Sequence, residues 1–205
     1  MASRSPFLRQ SSTALRAMVV FTLVLGVGYT AVITAIGMLA LPAPAAGSPA
    51  RTADGAIVRS TLIGQSFVDE DGEALPEWFQ SRPSAAGDGY DGGASSGSNL
   101  GPENPDLLAQ VTERRAEIAA REGVEESRVP VDAVTASASG LDPHISPDYA
   151  RLQVARVAAA RDLPPAEVER LVAEATRAPD LGYLGEPTVN VLELNIAVAE
   201  IDARD

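Results

Sequence analysis

An α+β fold is predicted, with one N-terminal transmembrane helix followed by a single mixed domain outside the cytoplasm. Three observations predict it. Residues 17–41 (AMVVFTLVLGVGYTAVITAIGMLAL) form an uncharged apolar run. Arg4, Arg9 and Arg16 precede that run with no acid among them. The remainder mixes apolar positions at helical spacing with stretches that alternate like strands.

The span comes first. At ~1.5 Å per residue, a helix over 17–41 covers a hydrocarbon core of ~30 Å with some tilt to spare. Basic residues beside a span stay on the cytoplasmic side. Residues 1–16 are therefore read as a cytoplasmic tail, 17–41 as the transmembrane helix, 42–55 as a tether and 56–205 as the extracytoplasmic domain. A cleaved signal sequence is the competing reading, since Ala43-Pro44-Ala45 loosely resembles a cleavage site. Signal cores run to ~7–15 residues, so an uncleaved anchor is expected. Gly26, Thr30 and Thr34 are four apart in the span, with Ala31 and Ala35 beside them. Small residues at that spacing admit a second helix, and threonine can hydrogen-bond across the interface.

The domain follows. Residues 42–55, rich in Pro, Ala, Gly and Ser, read as a short extended tether. A strand is expected within 56–68, ending near Gly64. Trp78, the only tryptophan, is expected to anchor the core. Residues 85–101 (AAGDGYDGGASSGSNLG) hold too much Gly and Ser for a regular element. Asn104 then Pro105 open a helix that Gly123 closes, with Leu107, Leu108, Val111 and Ile118 at helical spacing. Glu113, Arg114, Arg115 and Glu117 are assigned to its solvated face. A strand is expected over 129–135 and a turn-rich loop over 135–147. Ser146-Pro147 and Pro164-Pro165 open two helices that form a hairpin about Leu163. Residues 188–201 fit strand or helix, and a helix capped by Asn190 is preferred.

Composition excludes several functions. The formal charge is −12, which leaves −15 on the part after the tail. An acidic domain disfavours nucleic acid and anionic lipid as partners. There is no Cys, and His144 is the only histidine, so thiolate sites and multi-histidine zinc sites are excluded. All sixteen cations are Arg, so no Walker-type lysine exists. Gly93-Ala94-Ser95-Ser96-Gly97 matches the nucleophile-elbow pattern, which needs a strand before it and a helix after it; a Gly/Ser loop supplies neither. His144 could serve as a general base, oriented by Asp142 or Asp148. Its place between Pro143 and Pro147 suits pinning a turn instead, and that reading is preferred. No catalytic residue and no metal ligand is assigned.

Several loops resemble one family, KdpC. They are Gly64-Gln65-Ser66-Phe67, Trp78-Phe79-Gln80-Ser81-Arg82-Pro83-Ser84, Ser98-Asn99-Leu100-Gly101-Pro102, Val129-Pro130-Val131-Asp132, Gln153-Val154-Ala155-Arg156-Val157-Ala158, Leu184-Gly185-Glu186-Pro187 and Val189-Asn190-Val191-Leu192-Glu193-Leu194-Asn195. The run Ser139-Gly140-Leu141-Asp142-Pro143-His144-Ile145-Ser146 is the most specific. Ser96 and Ala138 depart from the family pattern, which has Gly at both.

The resemblance implies a non-catalytic accessory subunit of an ATP-driven, high-affinity potassium uptake pump in the bacterial plasma membrane. Such a subunit supports assembly and raises the ATP affinity of the ATPase subunit. It implies two partners, a P-type ATPase subunit that hydrolyses ATP and a potassium-channel-like subunit. No cofactor is bound directly; ATP acts through the complex, and potassium is the transported ion. Gln153 falls where the family's proposed nucleotide-contacting Gln lies. The charge asymmetry places Gln153 outside, whereas ATP is cytoplasmic, so those two implications conflict. The alternative is a membrane-tethered extracytoplasmic hydrolase using His144; a third is a free-standing extracytoplasmic binding module.

Overall fold

The computed structural model describes residues 6–52 and 54–202. Arg4, one of the three tail arginines, lies outside the described residues. The chain divides into two units, residues 1–48 and 49–205.

The first unit is a helix that runs from Pro6 to Ala40, long and apolar enough to cross a membrane. It comprises α1 (Pro6–Phe21), a π-helical stretch (Thr22–Tyr29) and α2 (Thr30–Ala40). The helix as described runs from Pro6, well before the apolar run at residue 17. Helix α2 ends at Leu41, whose φ of −135° is non-helical, as expected for a residue before proline. Within the expected tether, Pro42–Ala45 forms a short helix, α3, rather than extended chain.

The second unit opens on an antiparallel hairpin, β1 (Pro49–Arg51) with β2 (Ile57–Ser60). The strand expected near residue 57 is present and ends at Ser60, short of Gly64. Residues 61–104 then contain no helix, and their only strand-like feature is an isolated bridge between Val68 and Ala74.

Helix α4 (Pro105–Glu122) starts where Asn104 accepts a hydrogen bond from Asp106 N at 2.8 Å. Gly123, at φ 65°, closes it. A 3₁₀ turn (Glu126–Arg128) precedes α5 (Val131–Val134), which occupies the region expected as a strand over 129–135. The correction has a local cause. Asp132 accepts from both Ser146 N (2.7 Å) and Ser146 Oγ (2.8 Å), and one helical turn aims it there. β-Branched composition alone had suggested extension.

A strand, β3 (His144–Ile145), leads into α6 (Pro147–Ala160), capped by Ser146 Oγ on Tyr149 N at 3.0 Å. Helix α7 (Pro165–Ala175) folds back on α6 as expected. Next come β4 (Thr176–Arg177), β5 (Thr188–Asn190) and α8 (Val191–Asp202). The ambiguous stretch is therefore both, a strand and then a helix whose N–H at Glu193 is capped by Asn190 Oδ1 at 3.2 Å.

Strands β3, β5 and β4 form an antiparallel sheet in that order, with His144 opposite Asn190 and Thr176 opposite Val189. The core gathers Ile145, Tyr149, Val157, Val168, Val172, Val189, Leu194 and Val198 around Phe79. Phe79 and Tyr149, not Trp78, are the fully buried aromatics of the core; Trp78 is only half-buried.

Candidate functional site

Phe79 and Gln80 belong to no helix or strand. Two amide side chains supply the missing partners. Asn195, on α8, accepts from Phe79 N at 2.9 Å and donates to Phe79 O at 3.0 Å. Gln153, on α6, accepts from Gln80 N at 2.7 Å and donates to Gln80 O at 3.2 Å. Each amide thus reproduces the paired donor and acceptor of a sheet ladder. Both side chains are buried, so these bonds satisfy backbone groups that water cannot reach.

The second row of the clamp is ionic. Arg156 donates to Gln153 Oε1 (2.8 Å), Glu122 (3.0 and 3.1 Å), Pro76 O (2.6 Å) and Trp78 O (3.0 Å). The Glu122 side chain is fully buried and also meets Arg121 at 3.0 Å. Arg121 in turn donates to the Tyr149 hydroxyl at 3.3 Å. Arg161 stacks on the Trp78 ring at 4.1 Å, a cation–π contact. Segment 76–80 is therefore gripped from α6 and α8, with Glu122 of α4 bracing Arg156.

Arg114 belongs to the same theme. Assigned to a solvated face from sequence, it is half-buried and donates to Val134 O at 3.3 Å, tying α4 to α5.

His144 sits in a second polar cluster. Asp142 Oδ1 accepts from His144 N at 3.0 Å and faces His144 Nδ1 at 3.1 Å. Asp142 Oδ2 meets Arg82 Nη1 at 3.0 Å, and Arg82 also donates twice to Thr135 O at 3.2 Å. Burial alone would raise the Asp142 carboxyl, but the bonds from His144 and Arg82 outweigh it and hold it below the usual carboxylate range. The Asp142 carboxylate, where the sequence points to His144, holds the Asp142–Ser146 turn through the His144 N–H. Asp148, the other candidate acid, is 79% exposed and pairs with Arg151 instead.

The Gly93–Gly97 pattern has no strand before Ser95 and no helix after it. Ser95 Oγ donates to Ser139 O at 2.9 Å, so it fastens one loop to another. Ser84 Oγ does the same, donating to Gly140 O (2.6 Å) and accepting from Tyr90 N (2.9 Å). The Tyr90 hydroxyl donates to Arg82 O, and burial pushes the phenol up to about 12. Gly140 lies at φ 70°, and a Cβ there would meet Ser96 O at 2.5 Å. The two loops touch backbone to backbone, and only glycine fits between them.

In the span, Thr30 and Thr34 lie on α2, four residues apart and so on one face. Gly26 lies in the π-helical stretch, where the hydrogen-bond repeat is five residues. The four-residue line therefore bends at Gly26. The Thr30 hydroxyl faces Leu25 O at 3.4 Å. A Cβ at Gly26 would meet nothing nearer than Thr22 Cγ2 at 3.8 Å, so its own helix does not require glycine there. Among the described residues no group of three or more His, Cys, Asp or Glu could hold a metal ion.

Sequence reading assigns individual roles to Gln153 and His144, places Arg82, Arg156 and Asn195 only within motif runs, and misses Glu122. A signal existed for Asn195, of the same kind as for Gln153. Asn195 interrupts the apolar series Leu192, Leu194, Ile196, Val198, and Gln153 lies between Leu152 and Val154; a polar amide inside an apolar face implies a buried partner.

A family model described as "K+-transporting ATPase, c chain" (KdpC) matches residues 11–200. Curated relatives agree. A potassium-transporting ATPase KdpC subunit from Kineococcus radiotolerans is 56% identical over 191 residues, covering 93% of each chain. One from Beijerinckia indica is 52% identical over 187 residues, 91% of this chain and 90% of the relative. One from Mycobacterium bovis is 46% identical over 191 residues, 93% of this chain and 97% of the relative. With a match of that extent and identity, the chain belongs to the KdpC family, the c-chain subunits of the potassium-transporting ATPase.

Proposed function

We propose that this chain is the non-catalytic accessory subunit of an ATP-driven, high-affinity potassium uptake pump. It supports assembly of the pump and raises the ATP affinity of the ATPase subunit. Its partners are that subunit and a potassium-channel-like subunit. It sits once through the bacterial plasma membrane, N-terminus in the cytoplasm and domain outside, in keeping with Arg9 and Arg16 before the span. Gly26, Thr30 and Thr34 form its contact with a partner helix.

The observation that carries this reading is the inward use of the motif residues. Gln153, Asn195, Asp142, Ser84 and Ser95 bond to this chain's own backbone. They hold a shape and leave no assembled nucleophile and base, which favours a contact subunit over a hydrolase using His144.

Action on ATP then goes through the complex. A subunit that binds the ATP-competent conformer of its partner more tightly raises ATP affinity by the same factor. Gln153 takes part as the clamp that keeps the domain's shape, not as a nucleotide ligand. Potassium is cargo, and this chain binds no cofactor itself.

The test is an ATP titration of the purified pump with and without this chain. A higher KM for ATP without it, recovered on adding it back, is expected. An unchanged KM and unchanged assembly would remove the accessory role.

A further inference from the structure

We infer that the groove between the β1–β2 hairpin and α8 seats an extended, apolar and basic segment of a partner subunit's extracytoplasmic loop. This rests on the accessory-subunit reading above.

The groove holds a cavity of about 830 Å³. One wall is Leu192, Ile196 and Ala199, a single face of α8; Val58, Phe67, Leu75 and Trp78 are among the apolar residues opposite. It is apolar enough to take several aliphatic side chains. Its polar groups point to the partner's charge. Asp54 and Glu200 stand on the lining, and among the described residues no Lys or Arg does. Gln65, also on the lining, has a buried Oε1 with no hydrogen-bond donor. An orphaned buried acceptor costs free energy until a donor reaches it. Carboxylates, an orphaned acceptor and apolar walls together fit aliphatic side chains accompanied by N–H groups or a cation.

The hairpin gives the occupant its form. Among the described residues β1 and β2 pair only with each other as a two-stranded sheet, and such a sheet presents outer edges on which an extended peptide can add. Ile57 and Leu62, on and just after β2, are 61% and 62% exposed. The acidic lining disfavours an anionic lipid surface. It equally disfavours a second copy of this acidic chain.

The test is photo-crosslinking in the assembled pump, with the full-length chain carrying a benzophenone amino acid at Ala199 and, as control, at Leu181, which is 82% exposed and away from the groove. Ala199 should crosslink to a peptide of a partner subunit that contains Lys or Arg beside aliphatic residues; Leu181 should not. Val58→Asp and Glu200→Lys should each cut that adduct by about tenfold or more, since a tenfold loss needs only ~1.4 kcal/mol. Melting of the variants is checked in parallel, and if Val58→Asp melts early, Glu200→Lys alone decides. An intact pump with no partner adduct at Ala199, or with adducts only to lipid, to a small amine or to a second copy, overturns the inference while sparing the accessory reading. If the parent chain does not assemble at all, both fail.

Discussion

Gln153→Ala removes the partners of Gln80 N–H and Gln80 C=O at once, and takes one acceptor from Arg156. Each buried backbone group left unsatisfied costs ~1–3 kcal/mol, so the domain should lose ~2–5 kcal/mol. Asn195→Ala should lose a similar amount through Phe79. Denaturant unfolding of the purified chain measures both. If Gln153→Ala left stability intact but weakened nucleotide binding, the clamp role would be wrong and a ligand role right.

Asp142 gives a pH-dependent counterpart. Its carboxyl is held below its ordinary value in the folded state. A lowered pKa contributes stability above the unfolded value, ~3.9, that disappears as pH falls through the folded one. Asp142→Asn should therefore be less stable than the parent from about pH 5 upward, and the gap should close below about pH 4. Melting curves across that range check it; a gap that widens in acid contradicts it. Motif residues were legible in the sequence as words. Their partners were not, because Gln153 to Gln80 and Asn195 to Phe79 are contacts between distant segments that no local periodicity encodes.

At the scale of elements, the helices were legible because their ends carry chemistry. Asn104-Pro105, Ser146-Pro147 and Pro164-Pro165 each mark a start, and Gly123 marks a stop. Residues 129–135 misled because Val129, Val131 and Val134 favour a strand locally, whereas Asp132 is drawn to Ser146 by tertiary structure. Residues 61–104 had no periodicity to read; they are ordered by hydroxyl and amide bonds to 139–141, 153 and 195. The π-helical stretch in the span also left no pattern in the apolar run. If the surface around it meets a partner helix, Gly26→Leu with Thr30→Leu should weaken assembly while membrane insertion persists. Contacts of this kind contribute ~0.6–2 kcal/mol, so the loss should be partial. Full recovery of the pump with the double variant would remove this interface.

On the proposed topology, one span holds the domain on the outer side of a membrane. Protease added to intact spheroplasts should digest residues beyond the tether and spare a fragment containing 17–41. Complete protection of the domain would reverse the orientation and put Gln153 on the side of ATP.

Co-purification in mild detergent of the tagged full-length chain, expressed with its neighbouring genes, tests the central claim most directly. The account predicts that two larger membrane subunits come with it, one of them hydrolysing ATP in response to potassium. Recovery of the chain alone, under conditions where both larger subunits are present and folded, would contradict it.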